Sequence, residues 1–125
     1  SVSLVSKKGY EMKFSTVDNK NWKVVFKIDR NDVKTEADIE SKVILFFANE
    51  NVLQLKYSCE SYTEKESFIS IQGMHSEAYA QSVAFLFAEN GKYKINQPGT
   101  VISNENYKII QIKKNFEEYL SLKKP

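Results

Sequence analysis

The sequence predicts a mainly β fold: an antiparallel sheet or barrel-like body made of three hairpin-plus-strand units of about 41 residues, with α+β as the alternative. Short helical connections and a C-terminal helix complete the prediction. Val2, Val43 and Val83 open three similar apolar segments, spaced 41 and 40 residues apart. Short runs of alternating apolar and polar residues follow them, with Gly or Asn at the bends. The units cover approximately residues 1–41, 42–81 and 82–125 of a single domain, 1–125.

The first unit contains a predicted hairpin and a third strand. We expect a strand over residues 3–6, a bend at Gly9 and a strand over residues 10–15. From Trp22 to Ile28, Trp22, Val24, Phe26 and Ile28 alternate with Lys23, Val25 and Lys27. This pattern is typical of a half-buried strand whose lysines lie in water.

The second and third units repeat this order. Segments 43–48 and 83–88 are apolar on both faces, which predicts central strands that are covered on each side. The other strands predicted in these units cover residues 52–57, 68–72, 92–95, 100–102 and 107–112.

Three helical segments are predicted between and after the strands. Asp32 has the position of an N-cap for a short helix over residues 33–40. Residues 75–81 are expected to form one helical turn. The C-terminal helix covers residues 115–122, with acidic residues in its first turn and lysines at its end. Because a short isolated helix is marginal in water, we expect this helix to dock on its own sheet rather than in a partner's groove.

Composition and cysteine content restrict the class of protein. The chain has 125 residues, of which 42% are hydrophobic and 27% charged, as expected for an ordinary globular domain. The single cysteine, Cys59, excludes an internal disulfide, which favours an intracellular location and is compatible with a secreted one. We expect no transmembrane segment, since no apolar run approaches the roughly 20 residues that span a bilayer.

Few residues in the sequence are suited to catalysis. The one histidine, His75, has no flanking pattern that pairs it with Cys59. Two such residues are too few for the roughly four ligands of a structural zinc site, and the four glycines are isolated. A pair of carboxylates is the catalytic arrangement that the inventory leaves open. We therefore predict no catalytic residues, no cofactor, no metal and no enzymatic activity.

Lysines on predicted strand faces, with tyrosines near them, suggest a surface for single-stranded nucleic acid. Against this, 17 of the 18 basic residues are lysine, and lysine on an exposed sheet face also keeps strands soluble. The candidate nucleic-acid residues are Lys13, Lys23, Lys27, Lys56, Lys92, Lys94, Lys108, Tyr93 and Tyr107.

Aromatic residues make up 13% of the chain, and more than half of them are expected in the core. Tyr62, Tyr79 and Tyr119 are the candidate surface anchors for a protein partner. The primary hypothesis is a non-enzymatic protein-binding or self-assembly module that uses exposed strand edges and surface tyrosines. Single-stranded nucleic-acid binding is the alternative. A carrier that encloses an apolar ligand in a barrel is a further alternative.

Overall fold

The structure, a computed structural model, describes residues 13–15 and 19–123. Within these residues it contains four strands and four helices. The strands are β1 (Trp22–Asp29), β2 (Lys56–Ser61), β3 (Glu66–Met74) and β4 (Thr100–Ser103). The helices are α1 (Val33–Glu50), α2 (Glu77–Glu89), α3 (Asn104–Lys113) and α4 (Phe116–Lys123).

The four strands form one open antiparallel sheet in the order β2-β3-β1-β4. The chain order β-α-β-β-α-β consists of two β-α-β units. In the sheet, β3 lies between the two strands of the first unit, and β1 lies between the two strands of the second. This is the ferredoxin-like arrangement. The fold is therefore mixed α+β, the alternative that the sequence left open. The prediction of a barrel-like body is wrong, because β2 and β4 are separate edges that do not close the sheet.

Helices α1 and α2 cover one side of the sheet, which we call the front face. Val24, Phe26 and Ile71 of the sheet share a buried cluster with Phe46 of α1 and Phe87 of α2. The Phe87 ring lies 6.0 Å from that of Phe26 and 5.2 Å from that of Phe46, in edge-to-face contacts. These rings hold both helices to the central strands.

Helices α3 and α4 cover the other side of the sheet, the back face. Val25 and Phe68 of the sheet pack there with Ile110 of α3 and with Phe116 and Tyr119 of α4. The sheet is thus buried on both sides, and the predicted docking of the C-terminal helix on its own sheet is confirmed.

The structure corrects the prediction of central strands. Segments 43–48 and 83–88 lie inside α1 and α2. Periodicity cannot separate a buried strand from a buried helix when a short run is apolar on every side. Val43 and Val83, which are 40 residues apart, lie in the two helices of the front face, and both side chains are buried in the front-face core.

Residues 107–112 are also helical, as part of α3, and not a strand. The Ser103 hydroxyl caps this helix by accepting a hydrogen bond from the Asn106 backbone N–H at 3.1 Å. Residues 92–95 form a loop. The strand predicted over 52–57 begins later, as β2.

Several predicted elements are confirmed. The strand over 22–28 is β1, residues 68–72 lie in β3, and residues 100–102 lie in β4. Asp32 caps α1, whose Thr35 backbone N–H donates to the Asp32 carboxylate at 3.1 Å, although the helix continues to Glu50. The hairpin predicted over residues 3–15 lies outside the described residues, except for 13–15.

Candidate binding edge of the sheet

An open sheet leaves a row of backbone groups unpaired along each edge strand. In this sheet the edge strands are β2 and β4. The two edges differ in how many of their outward groups are already used, and this difference defines the candidate site.

The direction of each backbone group in β2 follows from hydrogen bonds at the end of the ladder. The Tyr62 N–H donates to the Glu66 carbonyl at 3.0 Å, so Tyr62 faces β3. The Arg30 N–H donates to the Lys65 carbonyl at 2.9 Å, which independently turns Lys65 toward the β1 side and Glu66 toward β2. Successive residues of an antiparallel strand alternate in direction. The backbone groups of Tyr57, Cys59 and Ser61 therefore point away from β3, along what we call the β2 edge.

One end of the β2 edge is closed by side chains of the chain itself. The Gln111 side-chain amide donates to the Ser61 carbonyl at 3.1 Å. The Arg30 guanidinium donates to the Ser61 hydroxyl at 2.7 Å and to the Thr63 carbonyl at 3.3 Å. No described residue hydrogen-bonds with the outward backbone groups of Tyr57 or Cys59, so these two residues form the open part of the edge.

The β4 edge is shorter and closed. Its outward carbonyl at Val101 accepts hydrogen bonds from the Tyr119 hydroxyl at 3.0 Å and the Lys123 ammonium at 2.7 Å. Both donors are side chains of α4, and they use a carbonyl that an added strand would need.

On the front face, β2 carries Tyr57 and Cys59. The Tyr57 hydroxyl donates to the Glu40 carboxylate at 2.9 Å, and this hydrogen bond raises the pKa of Tyr57. Partial burial and the neighbouring Glu36 carboxylate raise the pKa of the Cys59 thiol, although its residue is exposed. The thiol therefore stays protonated at neutral pH and is not activated as a nucleophile.

On the back face, β2 carries Lys56, Ser58 and Glu60. The Glu60 carboxylate accepts hydrogen bonds from the Tyr107 hydroxyl at 2.5 Å and from the Ser70 hydroxyl at 3.2 Å. Burial, reinforced by the Glu60 hydrogen bond, raises the pKa of Tyr107 to about 12. The Ser58 hydroxyl oxygen is buried and has no hydrogen-bond partner among the described residues.

The candidate nucleic-acid residues do not form one exposed face. Lys23 is buried, donates to the Gln72 side chain at 2.9 Å and lies 5.1 Å from the Tyr107 ring centre, and burial lowers its pKa. Lys27 forms ion pairs with Glu66 at 3.1 Å and Glu117 at 2.9 Å. These two lysines lie under α3 and α4 because those helices cover the back face.

The remaining members of that set are scattered. Tyr93 and Tyr107 are buried on opposite faces of the sheet, so their rings offer no stacking platform. The exposed lysines lie on the segment before β1, on β2, on the loop after α2 and on α3, namely Lys13, Lys56, Lys92, Lys94 and Lys108.

Two of the three candidate anchor tyrosines are buried, so the expectation that they lie on the surface is wrong for those two. The Tyr62 hydroxyl accepts a hydrogen bond from the Phe116 N–H at 3.0 Å, and Tyr119 donates to Val101. Both rings pack in the back-face core, where α4 needs large side chains to fill the space over the sheet. Tyr79 is half-buried, and its hydroxyl accepts from the Gln54 amide at 3.1 Å.

Two cavities among the described residues are small or open. A pocket of about 170 Å³ lies between Phe26, Phe87 and Gly99, and an open groove of about 370 Å³ runs beside Phe85 on α2. The first is smaller than the roughly 300–1,000 Å³ of most ligand pockets. Neither is the barrel interior on which the carrier hypothesis depended.

The described residues contain no cluster of three His, Cys, Asp or Glu side chains that could hold a metal ion. In the same part of the chain, no helix combines the length and apolarity needed to cross a bilayer.

Sequence reasoning missed Gln111 and Arg30, which close one end of the β2 edge. The sequence pattern predicts a strand at Gln111, which gives no indication that this side chain reaches from a helix to the Ser61 carbonyl. The alternation of Tyr57 and Cys59 with Lys56, Ser58 and Glu60 is the local signal that could have indicated a half-exposed edge strand.

Comparisons with known proteins give no relative from which a role could be transferred. No family model, no curated protein and no solved structure matches this chain. The geometry of the β2 edge is therefore the basis from which function is inferred.

Proposed function

We propose that this chain is a non-enzymatic protein-binding module whose partner adds a strand to the β2 edge. The observation that carries the proposal is the outward backbone of Tyr57 and Cys59, which no described residue uses. An extended partner segment would hydrogen-bond to these groups, and its alternating side chains would meet the front and back faces in turn.

The pairing of β2 with β3 favours binding at the β2 edge. β2 is held along its other side by β3 over its whole length, so its backbone is already ordered before a partner arrives. Preorganisation reduces the entropy that association costs. The closed β4 edge offers no comparable site, because Tyr119 and Lys123 already use its Val101 carbonyl.

The two other hypotheses have less support. Single-stranded nucleic acid would need stacking rings beside free lysines, and Tyr93 and Tyr107 are buried. An apolar-ligand carrier would need an enclosed cavity of suitable size, and the described cavities do not supply one. We therefore place strand addition first.

Selection from a displayed library of short random peptides tests the proposal. The wild-type chain, kept reduced, and the Cys59→Pro variant serve as baits. Proline removes an outward N–H that makes no bond to β3, so Cys59→Pro should fold and fail to bind. We expect peptides enriched on the wild type to lose binding to Cys59→Pro and to keep it with Cys59→Ala, which lacks only the thiol.

A second proline provides the matched control. The Ser58 N–H points toward β3, so Ser58→Pro should lower the thermal midpoint well below that of Cys59→Pro. If the two prolines destabilise the chain equally, the assigned direction of the edge is wrong. For a chain that is monomeric in the selection, failure to enrich any peptide would refute strand addition at β2, as would equal binding to the wild type and Cys59→Pro.

A further inference from the structure

We propose that the strand added at the β2 edge is β2 of a second copy of this chain, paired antiparallel about a two-fold axis at Ser58. This inference rests on the proposed function and names the partner. In the resulting dimer the two sheets join through their β2 strands into one continuous sheet.

The free backbone groups select this register. In an antiparallel ladder, a residue that points outward must face another that points outward. With the axis at Ser58, Tyr57 of each copy faces Cys59 of the other, and both residues use their outward N–H and carbonyl groups. Two such pairs form, with four backbone hydrogen bonds between them.

The neighbouring registers use groups that are already occupied. With the axis at Cys59, Tyr57 would face Ser61, whose carbonyl accepts from Gln111 at 3.1 Å. With the axis at Tyr57, Cys59 would face Leu55, whose N–H donates to the Val52 carbonyl at 3.1 Å. In the register centred on Ser58, Tyr57 and Cys59 pair with each other, and Ser61 faces Leu55 only beyond these pairs, at the two ends of the ladder. The four hydrogen bonds of this register therefore use no group that is already occupied.

Charge complementarity points to the same register. Lys56 and Glu60 lie two residues on either side of Ser58 and share the back face. About an axis at Ser58, Lys56 of each copy faces Glu60 of the other, and opposite charges in directly opposed positions stabilise a strand pair. In either neighbouring register, one of these charges faces a serine instead.

The side chain at the axis supports self-pairing. The Ser58 hydroxyl is buried without a partner among the described residues. A buried hydroxyl without a hydrogen bond is unfavourable. At the axis it faces the same hydroxyl of the second copy, and cross-strand serine pairs can hydrogen-bond.

Helix α1 extends the contact on the front face. Glu40 and Phe47 both contact Tyr57, through a hydrogen bond of 2.9 Å and a ring distance of 6.4 Å. Ile44 lies between them on the same stripe of the helix, at i+4 from Glu40, and is 53% exposed. The second copy would cover this isoleucine, so apolar burial adds to the strand pairing.

Analytical ultracentrifugation of the reduced chain over a range of concentrations tests the proposal. We expect a reversible monomer–dimer equilibrium for the wild type. Lys56→Glu places a second carboxylate opposite Glu60 in both cross-strand pairs of the dimer, and this repulsion should weaken dimerisation roughly tenfold. Lys56→Gln removes the attraction without adding repulsion and should have a smaller effect. Lys92→Glu makes the same change in net charge on an exposed residue away from the β2 edge and should leave dimerisation unchanged.

A charge swap tests the register itself. Lys56→Glu chains and Glu60→Lys chains should each dimerise weakly, and an equimolar mixture should form heterodimers, because every opposed pair then carries opposite charges. Absence of heterodimers from folded chains would overturn the register. If Glu60→Lys does not fold, the dimerisation constants of the other three chains test the register. Dimerisation should weaken from the wild type to Lys56→Gln and further to Lys56→Glu, and equal dimerisation constants would overturn the register.

The outcomes separate this inference from the proposed function. A wild-type chain that is monomeric at all concentrations, with peptides selected at the β2 edge, would refute self-pairing and retain strand addition. A dimer that Cys59→Pro does not disrupt would refute pairing through β2. Loss of the dimer in Cys59→Pro, with retention in Cys59→Ala, is the expected result.

Discussion

At the scale of single residues, Gly73 in β3 has a backbone conformation that other residues rarely adopt. Its φ is +106°, and a Cβ built there would lie 2.3 Å from the Gln54 carbonyl oxygen. We expect Gly73→Ala to lower the free energy of unfolding by about 1–3 kcal/mol. Gly91→Ala is the control, since its Cβ meets nothing within 4 Å. Urea denaturation of both variants measures the difference, and equal midpoints would contradict the close approach at Gly73.

Buried tyrosines should affect stability at high pH. Burial raises the pKa values of Tyr107 and Tyr119 to about 12, against about 10 in an unfolded chain. Between these values the folded state holds more protons, so the free energy of unfolding falls as pH rises from about 10 to 12. In a pH titration of the folded chain, the absorbance of ionised tyrosine should show a late step, near pH 12, that is smaller in Tyr119→Phe. In denaturant the late step should vanish; a native titration identical to the denatured one would contradict the prediction.

At the scale of elements, α4 packs against the back face of the sheet with only one of its sides. Phe116 is 4% exposed and its ring lies 4.9 Å from that of Phe68, whereas Leu122 of the same helix is 65% exposed. Phe116→Ala should therefore lower the free energy of unfolding by about 3–5 kcal/mol. Leu122→Ala should change stability by less than about 0.5 kcal/mol. Comparable losses in chemical denaturation would mean that α4 does not pack as described.

Elements with a distinctive local signal could be predicted from the sequence. The alternation in β1 predicted the strand and its front face, since Trp22, Val24, Phe26 and Ile28 all lie in the front-face core. The prediction that the opposite face lies in water is wrong, because α3 and α4 cover it and Lys23 is buried. The carboxylate of Asp32 marked the start of α1. Residues 43–48 have no such signal, because six apolar residues in succession satisfy a strand and a helix equally.

The candidate site was harder to predict, because an edge is a property of strand order. Strand edges were expected to bind, but the identity of the edge depends on the pairing of β3 with both β1 and β2. Those pairings join residues far apart in the sequence. The same is true of Tyr62 and Tyr119, whose burial depends on where α4 docks.

At the scale of the whole molecule, one sheet is shared by two helical layers. Val24 and Val25 are neighbours in β1, yet they belong to the front-face and back-face cores respectively. Loss of either layer exposes the strands that support the other. The described residues should therefore unfold as one cooperative unit.

Trp22 allows a test of this coupling, because it is the only tryptophan and lies in the front-face core. Phe116→Ala removes a side chain from the back-face core. If the layers unfold together, the midpoint of denaturation reported by Trp22 fluorescence should fall as far as that reported by helical circular dichroism. A fluorescence midpoint that stays in place while helix is lost earlier would show that the layers unfold separately. Coincident shifts are expected because no strand of the sheet belongs to one layer alone.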